Sequence, residues 1–147
     1  MITVAVSGGY DPIHIGHVRS IREGKKLGDK LIIILTRDDQ LIQKKGYYFM
    51  PFEERKEILE SIVGVDRVVP NVDEDITSNE SLEYYRPDIF AKGGDRSEDN
   101  MPEIEKMMCA KIGCKIVYSV GGDKIQSSSS LVKRSSSLRS DVLTPAS

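Results

Sequence analysis

His14 and His17 stand three residues apart, directly after the run Ser7-Gly8-Gly9-Tyr10-Asp11-Pro12, and they are the two histidines of the whole chain. Residues at that spacing share one face of a helix, so both imidazoles can address the same group. Histidine donates to phosphoryl oxygens whether neutral or charged, and it titrates near working pH. Gly8 and Gly9 carry no Cβ, so the backbone there can turn sharply and approach a ligand closely. Gly16, between the histidines, keeps their shared face low enough for a phosphate to settle. Backbone amides at a helix start attract anions, helped by the helix dipole. This set suits in-line attack on the α-phosphorus of a nucleotide, with pyrophosphate leaving and no protein nucleophile. A histidine pair on a helix is by itself mostly coincidence. The strand and glycine turn in front of this one supply the context that makes it informative.

Other elements must hold these groups in place. Ile2–Val6, Leu31–Leu35, Arg67–Val69, Ile89–Ala91 and Lys115–Tyr118 read as short strands. They are β-branched and nearly continuous in apolar character, as parallel strands covered on both faces should be. Helical patterns lie between them. Val18, Ile21 and Lys25 share a face of the first. Phe52, Ile58, Leu59, Ile62 and Val63 mark the second, which Pro51 opens with Glu53 and Glu54 in the first turn. Leu82 and Tyr85 mark a third, capped by Ser78 or Asn79 and ended by Pro87. Ile104, Met107, Met108 and Ile112 mark a fourth, between Pro102 and Gly113. The alternation predicts an α/β fold: a Rossmann-like, doubly wound parallel sheet of about five strands, with helices on both faces and right-handed crossovers. Such sheets bind ligands beyond the carboxyl ends of their strands, near the reversal in strand order.

Further turns fall at strand ends. Lys92-Gly93-Gly94-Asp95-Arg96 follows one strand and offers a cation, an anion and a guanidinium around two glycines; an ordinary solvated surface turn has the same composition. Gln126-Ser127-Ser128-Ser129-Ser130 follows Gly121-Gly122, and its hydroxyls suit either a phosphate or a low-complexity linker. Lys44-Lys45-Gly46 lies in the connection after the second strand. Asp11 orients the turn or helps to place Mg²⁺, and Arg55 sits early in the second helical pattern.

Over Gly9 to His17 the sequence resembles the HxGH signature of the nucleotidylyltransferase superfamily, and more narrowly its cytidylyltransferase-like branch. The likeness extends over about residues 2 to 133. The resemblance implies that a nucleoside triphosphate, ATP or CTP, binds with Mg²⁺ and passes its nucleotide to a small phosphorylated substrate. It implies catalytic roles for His14, His17 and a lysine, with Lys45 favoured over Lys44. It places Ser7, Gly8, Gly9, Tyr10 and Gly16, then Lys92, Gly93, Gly94 and Asp95, around the nucleotide. Ser127, Ser128 and Ser129 stand where the family has Ser-Thr-Thr, keeping the hydroxyls and losing the β-branch. Arg55 stands where the family has a helix arginine. The Lys-Gly-Gly-Asp turn favours ATP and a sugar phosphate; CTP with glycerol 3-phosphate or another polyol phosphate is the alternative. A nucleotide-binding module without turnover shares the fold. The resemblance also suggests a homodimer.

Bulk properties narrow the field. The chain has 147 residues, enough for one domain with a real core. Its net charge is −2 and no lysine- or arginine-dense block dominates, so nucleic acid is not an expected partner. A synthetase fragment, which shares the histidine motif, would also need a second lysine-rich loop. Cys109 and Cys114 fit no zinc or disulfide spacing and read as packing thiols of a cytoplasmic protein. No apolar run approaches a membrane span, and no signal-peptide pattern opens the chain. Residues 1–133 read as the catalytic domain, and 134–147 as a serine-rich tail or helix extension.

Overall fold

In the computed structural model, which describes residues 1–93 and 101–120, Thr3–Gly8 forms the central strand β1. Lys30–Leu35 forms β2, Arg67–Pro70 β3, Ile89–Gly93 β4 and Lys115–Val120 β5. All pair in parallel in the order β3-β2-β1-β4-β5. Each predicted strand is present, displaced by at most two residues at an end. The order reverses at β1, which places a crevice beyond the carboxyl ends of β1 and β4.

The helices are α1 (Ile15–Lys25), α2 (Asp38–Lys45), α3 (Phe52–Glu60), α4 (Asn79–Tyr85) and α5 (Glu103–Ile112). Side chains alternate across the sheet. Val4, Val6, Leu31, Ile33, Leu35, Val68 and Ala91 face the layer where Ile21 of α1 and Leu59 of α3 meet them. Ala5, Ile32, Ile34, Val69 and Phe90 face the opposite layer, where Leu82 of α4 and Cys109 of α5 pack. Both faces are covered, so the strands read as unbroken apolar runs. Each fully buried Leu or Ile contributes about 1.5–3 kcal/mol relative to exposure. Both cysteines are buried thiols in or beside α5, and no helix among the described residues is long and apolar enough to cross a membrane.

Close approach fixes where α1 lies. Gly93 faces Ser20 of α1, and a Cβ there would sit 2.6 Å from its Oγ. That hydroxyl donates to the Val120 carbonyl at 3.1 Å, binding α1 to the end of β5. The register between β4 and β5 gains one residue between Ala91–Val117 and Gly93–Val120, a bulge at the same edge.

Three local expectations are corrected. Residues 38–45 form helix α2, not a bare connection, and Gly46 ends it with φ 84° in the left-handed region. Its apolar residues Leu41 and Ile42 are adjacent, so the sequence shows no helical stripe. At α4, Ser78 holds the cap position but makes no side-chain cap bond. Asp73 does that work instead: its carboxylate accepts the amides of Glu80 at 2.7 Å and Ser81 at 3.0 Å, and the Ser81 hydroxyl at 2.7 Å. Finally, Ser7 and Gly8 belong to β1, paired with Ile34 and Leu35, so the turn is confined to residues 9–14.

Candidate active site

The first helix begins on its own histidine. His14 is the N-cap of α1, with extended backbone, and its Nδ1 accepts the Gly16 amide at 3.1 Å. His17 reaches back, and its Nδ1 accepts the His14 amide at 3.1 Å. The two rings stack with centroids 3.8 Å apart and planes 26° apart. The Tyr10 ring meets His17 edge-on at 4.8 Å. Because each Nδ1 accepts an amide, the proton of each neutral imidazole resides on Nε2. Two N–H donors with a fixed tautomer therefore stand at a helix N-terminus, beyond the carboxyl end of the central strand. That arrangement can stabilise charge growing on phosphoryl oxygens.

The turn that carries them is built by burial. Tyr10 is buried in the left-handed region at φ 51°, an unfavourable conformation for a tyrosine that the surrounding packing holds. Burial pushes its phenol far above the ordinary range, so it stays neutral. A Cβ on Gly8 would lie 3.2 Å from the Tyr10 ring, and one on Gly9 would lie 2.9 Å from Leu41 of α2. The space these two glycines leave is thus filled by the chain's own side chains.

Asp11 is fully buried, and both its carboxylate oxygens accept backbone amides: Phe49 at 2.7 Å and Met50 at 2.8 Å. It thereby clamps the 47–50 loop to the glycine turn, which is the orienting role and not that of an open Mg²⁺ ligand. Lys45, at the end of α2, donates to the Asp11 carbonyl at 3.1 Å. Of the two lysines it is the half-buried one; Lys44 is exposed.

Arg55 is not a surface charge of α3. It is 1 % exposed and joins four segments. Its Nε donates to the Met50 carbonyl at 2.9 Å, and Nη1 donates to Gly9 at 2.9 Å and Thr36 at 2.6 Å. Nη2 donates to the Asp38 carboxylate at 2.7 Å. A planar guanidinium suits this task because its donors fan out in fixed directions. Nothing in the sequence marks the partner Asp38, or Gln40 and Asn71 in the neighbouring buried network. Their acceptors arrive from distant segments.

The structure divides the remaining site residues. Lys92 and Gly93 end β4 instead of forming a turn. The Lys92 ammonium lies 3.8 Å from the buried Glu105 of α5 and 4.6 Å from the Phe90 ring centroid, so it is drawn to the layer opposite α1. The Ser78 amide donates to Oε2 of that glutamate at 2.9 Å. Gly94, Asp95, Arg96, Ser127, Ser128, Ser129 and the segment 134–147 lie outside the described residues. Among the described residues, His14, His17, Tyr10, Asp11 and Lys45 form one cluster, and Arg55 supports it from below.

This cluster agrees with what the chain is similar to. The family model described as cytidylyltransferase-like matches residues 5–135. The chain belongs to that family. It is a nucleotidyltransferase, as the resemblance implied. A protein of Aciduliprofundum boonei named FAD synthase is 36 % identical over 116 residues, covering 79 % of this chain and 75 % of that protein. The bifunctional protein HldE of Hahella chejuensis is 34 % identical over 122 residues, covering 82 % of this chain and 23 % of that longer protein. Among solved structures, the lipopolysaccharide core biosynthesis protein of Thermoplasma volcanium superposes with a TM-score of 0.69 at 28 % identity, covering 81 % of this chain and 96 % of the other.

Proposed function

We propose that this nucleotidyltransferase moves AMP from ATP to a small phosphorylated acceptor and releases pyrophosphate. The observation that carries the reading is the stacked His14–His17 pair, fixed through Nδ1 at the N-terminus of α1. An acceptor phosphate oxygen attacks the α-phosphorus, and the bond from that phosphorus to the bridging oxygen of pyrophosphate breaks in line. The Nε2–H groups of His14 and His17 donate to the α- and β-phosphate oxygens as charge builds there. Lys45 adds a positive charge from the α2 side. Its ammonium has three protons, of which the Asp11 carbonyl engages one. Ser128 and Ser129 would hold the leaving pyrophosphate, and Gly94 and Asp95 would border the nucleotide. Mg²⁺ would shield the triphosphate.

Two acceptors are favoured by relatives. The name FAD synthase denotes a product made from FMN and AMP, and several relatives bear it, including one of Pyrococcus abyssi at 36 % identity over 116 residues. A sugar phosphate is supported by the likeness to HldE. CTP with a polyol phosphate has the weakest support. Pyrophosphate release separates them, measured with Mg²⁺ and ATP or CTP against FMN, sugar 1-phosphates and polyol phosphates. Release with ATP and one acceptor class supports adenylyl transfer and names the class. Release with CTP alone would replace ATP, and silence across the panel would remove the reading.

A further inference from the structure

Three of the chain's nine aromatic residues stand in a row at Tyr47-Tyr48-Phe49, between α2 and α3. Their side chains face solvent, Phe49 with 52 % of its surface exposed and Tyr47 with 39 %. The backbone is pinned at Phe49 and Met50. Asp11 holds the amides of Phe49 and Met50, and Arg55 holds the Met50 carbonyl. The rings of Tyr47 and Phe49 meet at 78° with centroids 5.3 Å apart. The Lys45 ammonium lies 5.2 Å from the Tyr47 centroid and also contacts Asp11. An apolar surface pinned at Phe49 therefore adjoins a cation and the histidine turn.

We propose that Phe49, braced edge-on by Tyr47, forms a platform that stacks a planar ring carried by the acceptor, so that the acceptor is an aromatic phosphomonoester of the FMN class and not a sugar phosphate. The inference rests on the adenylyl-transfer reading and narrows it. Position favours the acceptor over the adenine of ATP. The reversal in strand order puts the nucleotide crevice between β1 and β4. The aromatic loop follows α2 on the β2 side of the turn, which leaves it to the second reactant. Stacking on aromatic faces is a common device for holding a heterocycle against a cationic phosphate site.

The test is FMN binding, read by quenching of flavin fluorescence, in the wild type, the Tyr47→Ala/Phe49→Ala double variant and the swapped Tyr47→Phe/Phe49→Tyr variant. The alanine pair should weaken FMN binding by about tenfold or more, the scale of a lost ring stack. The swap should restore it, and the KM for ATP should stay within about twofold in both, since no nucleotide contact changes. Unchanged FMN binding in the alanine pair overturns the platform, even if the wild type adenylates FMN. An equal rise in the ATP KM assigns the platform to adenine and overturns it too. A change of oligomeric state in the alanine pair would assign the rings to a second copy, again against the proposal. Ring-dependent FMN binding without any pyrophosphate release would keep the platform and remove adenylyl transfer, so the two failures are distinct.

Discussion

Among the helices that begin at the carboxyl edge of this sheet, α1 and α4 have N-termini finished in opposite ways. At α1 the caps are imidazoles, His14 and His17, each satisfying one amide through Nδ1 while its proton stays on Nε2. At α4 the cap is the buried carboxylate of Asp73, which takes two amides and a hydroxyl. A helix N-terminus favours one anion. At α4 the protein supplies that anion itself, and the neighbouring cleft is lined by Asp73, Glu74, Asp75 and Glu80. At α1 neutral caps leave the favourable potential for a ligand. The supporting loops share one method, since buried donors from α2 and α3 saturate loop carbonyls in both: Arg55 serves Gly9, Thr36 and Met50, and Gln40 serves Asp73 and Asp75. Similar scaffolding thus carries one end that already has its own anion and one end where, in the proposed reaction, the substrate would supply it.

The comparison breaks first at Arg55. Replacing it with Met strands three carbonyls in the interior and removes the partner of the one-third-exposed Asp38 carboxylate, which should cost about 3–5 kcal/mol in urea unfolding. Lys in its place should not restore stability, because one ammonium cannot fan out to all four acceptors. Asp73→Ala is the matched change at the second end. It should cost about 2 kcal/mol of stability and leave turnover per folded molecule unchanged. A folded Asp73→Ala protein without turnover would mean that the two ends are not separate. Gly93→Ala sharpens the placement of α1, since the new Cβ meets Ser20. A loss of about 1–3 kcal/mol is expected in thermal unfolding, partly recovered by adding Ser20→Ala.

The smallest effect lies at the opposite, amino edge. The Lys25 ammonium, 2.7 Å away, and the Leu31 amide hold the Asp66 carboxyl below its ordinary range. A folded-state pKa below the unfolded value adds stability above the unfolded pKa, and that gain is lost as pH falls through the folded one. The melting temperature should therefore drop on acidification below about pH 4, and drop less in Asp66→Asn. Turnover of this variant at neutral pH should match the wild type.

What the sequence disclosed follows from locality. The five strands were legible because each is a short apolar run bounded by breakers. The histidine pair was legible because its geometry is set within one helical turn. Helix α2 was not, because its stability comes from contacts such as Leu41 against the glycine turn and Gln40 bridging to Asn71, with no stripe of its own. Arg55 and Asp73 look like ordinary surface charges in the sequence; only the assembled fold surrounds each with partners. Lys92 was placed beside the nucleotide by the resemblance, while its pairing with Glu105 depends on where α5 packs and left no mark in the sequence.

Turnover of His17→Ala tests the central claim most directly. The measurement is kcat for pyrophosphate release with Mg²⁺, ATP and the acceptor that the wild type uses, beside thermal unfolding of both proteins. Loss of one charge-stabilising donor should lower kcat about a hundredfold or more while the fold persists. A folded His17→Ala protein with near-normal kcat would show that the imidazoles at the start of α1 do not stabilise the transferring phosphate.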